Sequence, residues 1–176
     1  MLRILASVAA LALATPAAAE EYSWSNEFWM VTSDSHYDGI PFCTMLGAYT
    51  NDDFLGVHFE PTKNTASLAL ILPMAKAANF SPSVKHEMAV KFVIGDYVDE
   101  DWGDRSFSVS DDPESNTRFF QSSNMEAEVL MDDIAKADTI AFTMHDGKRV
   151  VAAFALSGTV AAIEKLRECG YSRVVP

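Results

Sequence analysis

Cysteine and positive charge are both scarce in this chain. Its 176 residues include two cysteines, and 25 acidic residues outnumber 13 lysines and arginines, which gives a net charge of −12. A surface this acidic repels phosphate backbones, so the composition argues against a nucleic-acid partner. The same charge would attract cationic proteins or divalent ions, although its simplest role is to keep the protein soluble.

The usual sequence marks of catalysis are absent as well. The chain has no glycine-dense strand–helix turn of the kind that binds phosphates, since Gly158 stands alone at such a junction. The G-x-S-x-G elbow and the S-x-x-K motif with its companions are also missing. His58 and His145 are isolated in strand-like stretches, where histidines are ordinarily surface or sheet residues. We therefore predict no catalytic residue and no cofactor.

Long apolar runs are limited to the first residues. Arg3 is followed by an apolar stretch over residues 4–14 and by the small residues 17–19, the layout of a secretory signal peptide. A bilayer span takes about 20 apolar residues, so this run is too short. We expect residues 1–19 to be removed and residues 20–176 to form one exported domain, periplasmic or secreted and not membrane-spanning. Loss of Arg3 takes the net charge from −12 to −13.

Export determines how the two cysteines are interpreted. Cys43 and Cys169 do not form a C-x-x-C pair, so the motif of a thioredoxin-like redox protein is missing. In an oxidising compartment two lone cysteines usually pair. We therefore predict a Cys43–Cys169 disulfide. Closing a loop of this size stabilises the folded chain by about 4–5 kcal/mol in the chain-entropy model.

Short apolar stretches bounded by turn residues predict most of the fold. Strand-like segments fall at residues 27–33, 42–50, 54–60, 66–72, 88–95, 105–110, 116–121, 139–144 and 149–156. Residues 127–138 predict a short internal helix, and Asp146-Gly147 predicts a hairpin turn between the last two strands. The acidic run over residues 95–104 is interpreted as a connection. Together these elements predict an α+β domain, mainly antiparallel sheet, with a C-terminal helix packed on it.

That C-terminal helix has the clearest periodicity in the chain. Its apolar residues and Cys169 share one half of the helical circle, and most of its charged residues share the other half. Ser157 is placed to cap the start of the helix, and Gly170 is placed to end it. Cys169 therefore falls at the edge of the buried face, where a disulfide would tie the helix to the sheet that carries Cys43.

Two acidic segments are weak candidates for a metal site. In the first, Asp34, His36 and Asp38 stand at the spacing that opens an EF-hand calcium loop. The match then fails, because Met45 occupies the position of the bidentate glutamate and no predicted helix flanks the segment. A turn between two strands explains the same residues without a metal.

The second candidate is the acidic run between Asp96 and Asp104. Asp99 and Asp101 could help to gather a cation there, but neighbouring like charges repel one another and ordinarily spread into solvent. Trp102 within the run is interpreted as a core or sheet-capping residue. The sequence therefore predicts no metal site, and whether this run binds a cation stays open.

The end of the chain resembles known exported domains. The run FALSGTVAAIEKLREC, a strand ending F-x-L-x-G and then a helix closing on a cysteine, is similar to the end of the invasion-associated locus B family. It also resembles periplasmic accessory proteins linked to type VI secretion. The first family carries an early tryptophan strand and a cysteine followed by apolar residues, which here would be Trp29, Cys43 and Met45. This chain lacks the additional cysteine pair of that family. The resemblance implies a β-rich exported accessory protein without known catalysis and assigns no functional residue.

These expectations favour a non-catalytic binding protein that acts in the periplasm or cell envelope through contacts with an unidentified protein partner. A narrower alternative is an inhibitor of a cationic enzyme such as lysozyme, which the negative charge would suit. The other alternative is a metal-assisted hydrolase that uses Asp34, His36 or the acidic run from Asp96 to Asp104.

Overall fold

One antiparallel sheet forms the body of the protein. The computed structural model describes residues 22–35, 39–145, 147 and 149–173. In chain order the strands are β1 (Ser23–Ser25), β2 (Trp29–Ser35), β3 (Pro41–Ala48), β4 (Phe54–Glu60), β5 (Thr65–Pro73), β6 (His86–Ile94), β7 (Tyr97–Asp112), β8 (Thr117–Ser122), β9 (Met125–Glu126), β10 (Thr139–Met144) and β11 (Val150–Ala155). The helices are α1 (Ala127–Lys136) and α2 (Thr159–Ser172). The prediction of a mainly β fold with one internal and one C-terminal helix is therefore confirmed.

The sheet curls until its first strands reach its last one. Its strand order is β1-β2-β3-β4-β5-β8-β7-β6-β10-β11, and the short β9 pairs with β5. The hydroxyl of Tyr49, which follows β3, donates to the carbonyl of Ala155 in β11 at 2.7 Å. The indole N–H of Trp29 in β2 donates to the carbonyl of Ser157 at 2.8 Å. These two bonds satisfy polar groups that would otherwise lack a hydrogen-bond partner where the strands meet.

Helix α2 lies across the strands near the amino terminus. It packs against β2, β3 and β4, and also against α1. Cys169 in its last turns is bonded to Cys43 of β3, with a Cα–Cα distance of 6.2 Å, so the predicted disulfide is confirmed. Disulfides are typical of proteins that mature outside the reducing cytoplasm. Within the described ranges, neither helix has the length and apolarity needed to cross a membrane.

The start of α2 differs from the prediction. Ser157 was predicted to cap the helix, but the N-cap is Gly158, which has a left-handed φ of 77°, and the first helical residue is Thr159. The Ser157 carbonyl accepts the indole N–H of Trp29. The buried Thr159 hydroxyl donates to the carbonyl of Leu156 at 2.7 Å, which secures the turn into the helix.

The prediction that Gly170 ends α2 is also wrong, because the helix continues to Ser172. A Cβ atom at position 170 would lie 2.2 Å from Cε1 of Phe59 in β4. The missing side chain therefore lets the last turn of α2 approach the Phe59 ring. Its role comes from tertiary packing, which a local glycine signal cannot distinguish from capping.

The acidic run over residues 95–104 is the largest error in the prediction. Only its first two residues, Gly95 and Asp96, form a turn; the remainder begins the 16-residue strand β7. Pairing with β6 runs from His86↔Phe107 to Ile94↔Tyr97. Residues 97–101 are all exposed, so neither face of the strand is apolar and the sequence shows no alternation.

Breaking the disulfide is expected to lower stability strongly. The bond joins residues 126 positions apart, which corresponds to about 4–5 kcal/mol in the chain-entropy model. Thermal unfolding of the mature protein with and without a reductant measures this loss, and Cys43→Ala should reproduce it. Reductant should then have no further effect on the Cys43→Ala variant. An unchanged Tm under reduction would contradict the expectation.

The Gly170→Ala variant is expected to be less stable, although alanine is the better helix former. The added methyl group would overlap the Phe59 ring, and overpacking of this kind costs about 1–3 kcal/mol. Chemical denaturation measures the change. The double variant with Phe59→Leu should lose less than the sum of the single variants, because the smaller side chain leaves room for the methyl. Stabilisation by Gly170→Ala alone would show that the helix end is not packed against Phe59.

Candidate functional site

An open cleft lies where β7 separates from its neighbour β8. Its volume is about 400 Å³. The lining comes from β7, from β9 with the residue before it, and from α1; it consists of Asp101, Trp102, Arg105, Asn124, Met125, Glu126 and Val129. We call this the Trp102 cleft. Four of the seven lining side chains are exposed, namely Asp101, Asn124, Glu126 and Val129. The cleft is therefore an open surface feature with a partly buried aromatic and cationic wall.

Trp102 is placed in this wall by an irregularity in β7. Ala89 pairs with Asp104 and Lys91 pairs with Asp101, so Trp102 and Gly103 together face one residue of β6. Gly103 has a φ of +61°, which a residue with a side chain rarely adopts. A bulge of this kind redirects a side chain while the strand continues.

The orientation of the Trp102 ring is fixed on two sides. Its indole N–H donates to a carboxylate oxygen of Asp133 in α1 at 2.8 Å. The ring also packs edge-on against the buried Phe92, with centroids 5.7 Å apart. Trp102 therefore packs on the core as interpreted from the sequence. The same ring also lines the cleft.

Arg105 is the cationic group of the cleft. Its guanidinium carbon lies 5.3 Å from the centroid of the Trp102 ring, within the range of a cation–π interaction. Its Nε is buried and has no hydrogen-bond partner in the part of the chain that the structure describes. A buried donor without an acceptor is costly. An acceptor brought by a ligand would therefore be favourable at this position.

Asp101 at the rim is already partnered. Its carboxylate accepts the backbone N–H of Gly103 at 2.9 Å and lies 3.2 Å from the ammonium group of Lys91. The bond from Gly103, and then the pairing with Lys91, lowers the pKa of Asp101 below its ordinary value. Asp101 thus stays charged at neutral pH and adds to the negative rim to which Glu126 also belongs.

The metal candidates are scattered or lie outside the described residues. Asp34 is exposed at the end of β2, where its carboxylate accepts the backbone N–H of Ser35 at 2.7 Å, and His36 and Asp38 fall in a part that the structure does not describe. Asp99 is exposed on β7. Across residues 22–35, 39–145, 147 and 149–173, no three His, Cys, Asp or Glu side chains are grouped to hold a metal ion.

Two of the described histidines, His58 and His145, occupy separate places. His58 in β4 lies beside Thr44, with 3.3 Å between its Nδ1 and the hydroxyl oxygen, and stacks on Phe42 with centroids 4.3 Å apart. His145 pairs with Asp104 at the surface of β7. The structure therefore does not bring His58 and His145 together in one site.

A second, apolar cleft marks the place where the two ends of the sheet meet. Its volume is about 240 Å³, and its lining is Phe28, Trp29, Ala48, Tyr49, Thr50, Ala155 and Ser157. The Tyr49 ring packs against the buried Phe154 with centroids 4.9 Å apart. This cleft contains the two hydrogen bonds that join β2 and β3 to the end of β11, so its residues have a structural role.

Arg105 could have been noticed in the sequence and was not. It is the first positive charge after five acidic residues, and Trp102 stands three positions before it. The contributions of Asn124, Met125 and Val129 could not be foreseen, because they reach the cleft only through the path of the chain between β8 and α1.

No protein-family model, curated protein or solved structure matches this chain.

Replacing Tyr49 by Phe is expected to cost about 1 kcal/mol of stability at neutral pH, because the bond to Ala155 is lost. Burial raises the pKa of Tyr49 to about 12 from its ordinary value of 10.0. The unfolded chain therefore loses this proton first, and the stabilisation from Tyr49 is complete below pH 10.0 and declines as the pH rises through about 12. Denaturation at neutral pH and near pH 11 measures both effects. The wild type should lose more stability on going to alkaline pH than Tyr49→Phe; equal losses would contradict the burial of Tyr49.

Proposed function

We propose that this protein is an exported, non-catalytic accessory protein that acts in the periplasm or cell envelope, and that it binds a protein partner at the Trp102 cleft. The unpartnered Nε of Arg105 beside an aromatic wall is the observation that carries the proposal. Tryptophan and arginine are the side chains that most often contribute strongly to protein interfaces. The disulfide agrees with a site of action outside the cytoplasm.

The shape of the cleft favours a macromolecular partner over a small ligand. Pockets for small molecules bury most of the ligand surface, whereas most lining side chains of the Trp102 cleft are exposed. An open cleft with one partly buried aromatic side chain, one cation and a polar rim resembles the usual composition of an interface. A segment of a partner protein that lies across the cleft would cover Trp102 and supply an acceptor to Arg105.

The negative charge indicates which proteins can approach. The net charge of −12 attracts cationic proteins at long range and raises their rate of association. This keeps the inhibitor of a cationic enzyme as a special case of the proposal. Metal-assisted hydrolysis has no comparable support in the described residues, because Asp99 and Glu100 point into solvent and Asp104 is paired with His145.

Binding of the partner is expected to depend on Arg105 and Trp102. A partner captured from envelope extract by the immobilised mature protein would be identified, purified and titrated against Arg105→Gln and Trp102→Ala. We expect each to weaken binding on the order of tenfold or more. Arg149→Gln is the matched control, because Arg149 is exposed and lies outside the cleft.

The folding of each variant is checked by its Tm, measured on the same preparation that is used for binding. Trp102 contacts Phe92 and Asp133, so Trp102→Ala is informative only where its Tm stays well above the assay temperature. Arg105→Gln removes no described hydrogen bond and provides the independent test. A partner that binds Arg105→Gln and wild type equally would overturn the proposed site.

A further inference from the structure

Strand β7 is much longer than the neighbour that should cover it. β7 has 16 residues and β8 has six. Their pairing begins at Asp112↔Thr117 and ends at Phe107↔Ser122. One further backbone bond follows, from the N–H of Ser123 to the carbonyl of Ser106 at 3.0 Å. Beyond this bond the two strands separate.

The chain then crosses to another strand and leaves β7 uncovered. Met125 and Glu126 form β9, which pairs with Ala66 and Thr65 of β5. Residues 97–105 of β7 keep β6 on one side. On the other side, no strand among those the structure describes pairs with them. The backbone N–H and C=O groups that point to that side form an open edge within the sheet, and no strand among those described covers it.

The open edge is exposed and strongly acidic. Every residue from Tyr97 to Asp101 is exposed, as is Asp104. Charged side chains on an edge strand prevent uncontrolled pairing. Two copies of this edge would set aspartates and glutamates against one another, and like charges directly opposite are destabilising. A second copy of the chain is therefore a poor occupant, whereas a strand that carries lysine or arginine would be attracted.

The edge and the Trp102 cleft belong to the same place. Asp101, Trp102 and Arg105 lie within the uncovered stretch of β7 and also line the cleft. A strand added beside β7 would continue in the position that β8 leaves. Side chains on one face of that strand would then enter the cleft, where a carboxylate would accept a hydrogen bond from Arg105 and an apolar group would contact Trp102.

We propose that residues 97–105 of β7 bind an extended, basic segment of the partner protein by strand addition, and that an acidic side chain within this segment pairs with Arg105. Main-chain hydrogen bonds supply affinity in this mode, and pockets for alternate side chains supply specificity. This inference rests on the proposed function and specifies how the partner is held. The acidic flanks select the basic character of the segment, while the partly buried guanidinium of Arg105 selects its one carboxylate.

The direct test uses a synthetic peptide as the probe. In this peptide lysine alternates with threonine and one central position is glutamate. It is titrated against the disulfide-bonded mature protein while backbone amide exchange is followed residue by residue. We expect binding at low salt, and slowing of exchange on the order of tenfold or more at outward-facing amides of residues 97–105. The matched amides of β6, which are already paired, should not change.

Two matched peptides separate strand addition from charge attraction. The first has the same sequence with alternate backbone nitrogens methylated, which removes donors along one edge and keeps every charge. The second replaces lysine by glutamate. Strand addition requires that both bind at least about tenfold more weakly than the probe. Equal binding of the methylated peptide, or no binding of the probe at all, would overturn the inference.

Variants of the protein test the acidic edge. Asp99→Asn combined with Glu100→Gln should weaken the probe, and the loss should shrink at high salt because exposed charges are screened. Glu114→Gln combined with Glu164→Gln changes the net charge equally, at exposed positions away from the edge, and should bind the probe as the wild type does. Equal loss in both pairs would show nonspecific attraction and overturn the inference.

The two proposals fail differently. If the natural partner depends on Arg105 but leaves the amides of residues 97–105 unprotected, the Trp102 cleft is the site and strand addition is wrong. If the partner slows amide exchange in residues 97–105 but its affinity is unchanged by Arg105→Gln, the open edge is the binding site and the role assigned to Arg105 is wrong.

Discussion

A covalent bond at one end of the fold supports the cleft at the other. Cys43 and Cys169 fasten α2 to β3. Arg167, two residues before the cysteine, donates to two carboxylates of α1 at 2.9 and 2.6 Å. From α1, Asp133 holds the indole N–H of Trp102 at 2.8 Å. The position of the aromatic wall therefore depends on α1, the position of α1 depends on α2, and α2 is held by the disulfide.

The second constraint is the mismatch in length between β7 and β8. If β8 paired with β7 along its whole length, β7 would have no uncovered edge and no cleft would separate it from α1. The chain turns away after Ser123 and returns as β9. The sheet stays continuous from β5 through β8 and β7 to β6, and it opens only locally. The acidic residues gather at this opening, where they keep the edge from pairing with identical chains. In the proposed binding mode, the same charges would select a basic segment of the partner.

Much of the fold is predictable from local pattern. Strands with apolar residues and clear turns, such as β5 and β10, were located from the sequence, and so were both helices. The disulfide was predicted from the expected export and the number of cysteines. Strand β7 was missed because its first residues are exposed on both faces, so burial imposes no alternation on them. Gly170 was misread because its cause is the Phe59 ring, which is remote in sequence and adjacent in space.

The candidate site was less predictable than the fold, for the same reason. Trp102 was visible but was interpreted only as a packing residue, and the gap that exposes its ring arises from where β8 ends. Arg105 is a candidate because its Nε lacks a hydrogen-bond acceptor among the described residues, and no sequence pattern indicates this. Sites made by the divergence of two strands depend on chain path, whereas sites made by a compact motif depend on spacing.

The most direct measurement of this dependence is hydrogen exchange at the Trp102 indole in the Cys43→Ser/Cys169→Ser double variant, compared with the oxidised protein at a temperature where both are folded. Amides of β5 and β8 serve as the internal reference for an intact sheet. We predict faster exchange of the Trp102 indole proton without the disulfide, while the reference amides keep their protection. Equal exchange of that proton in the two proteins would contradict the claim that the disulfide supports the cleft.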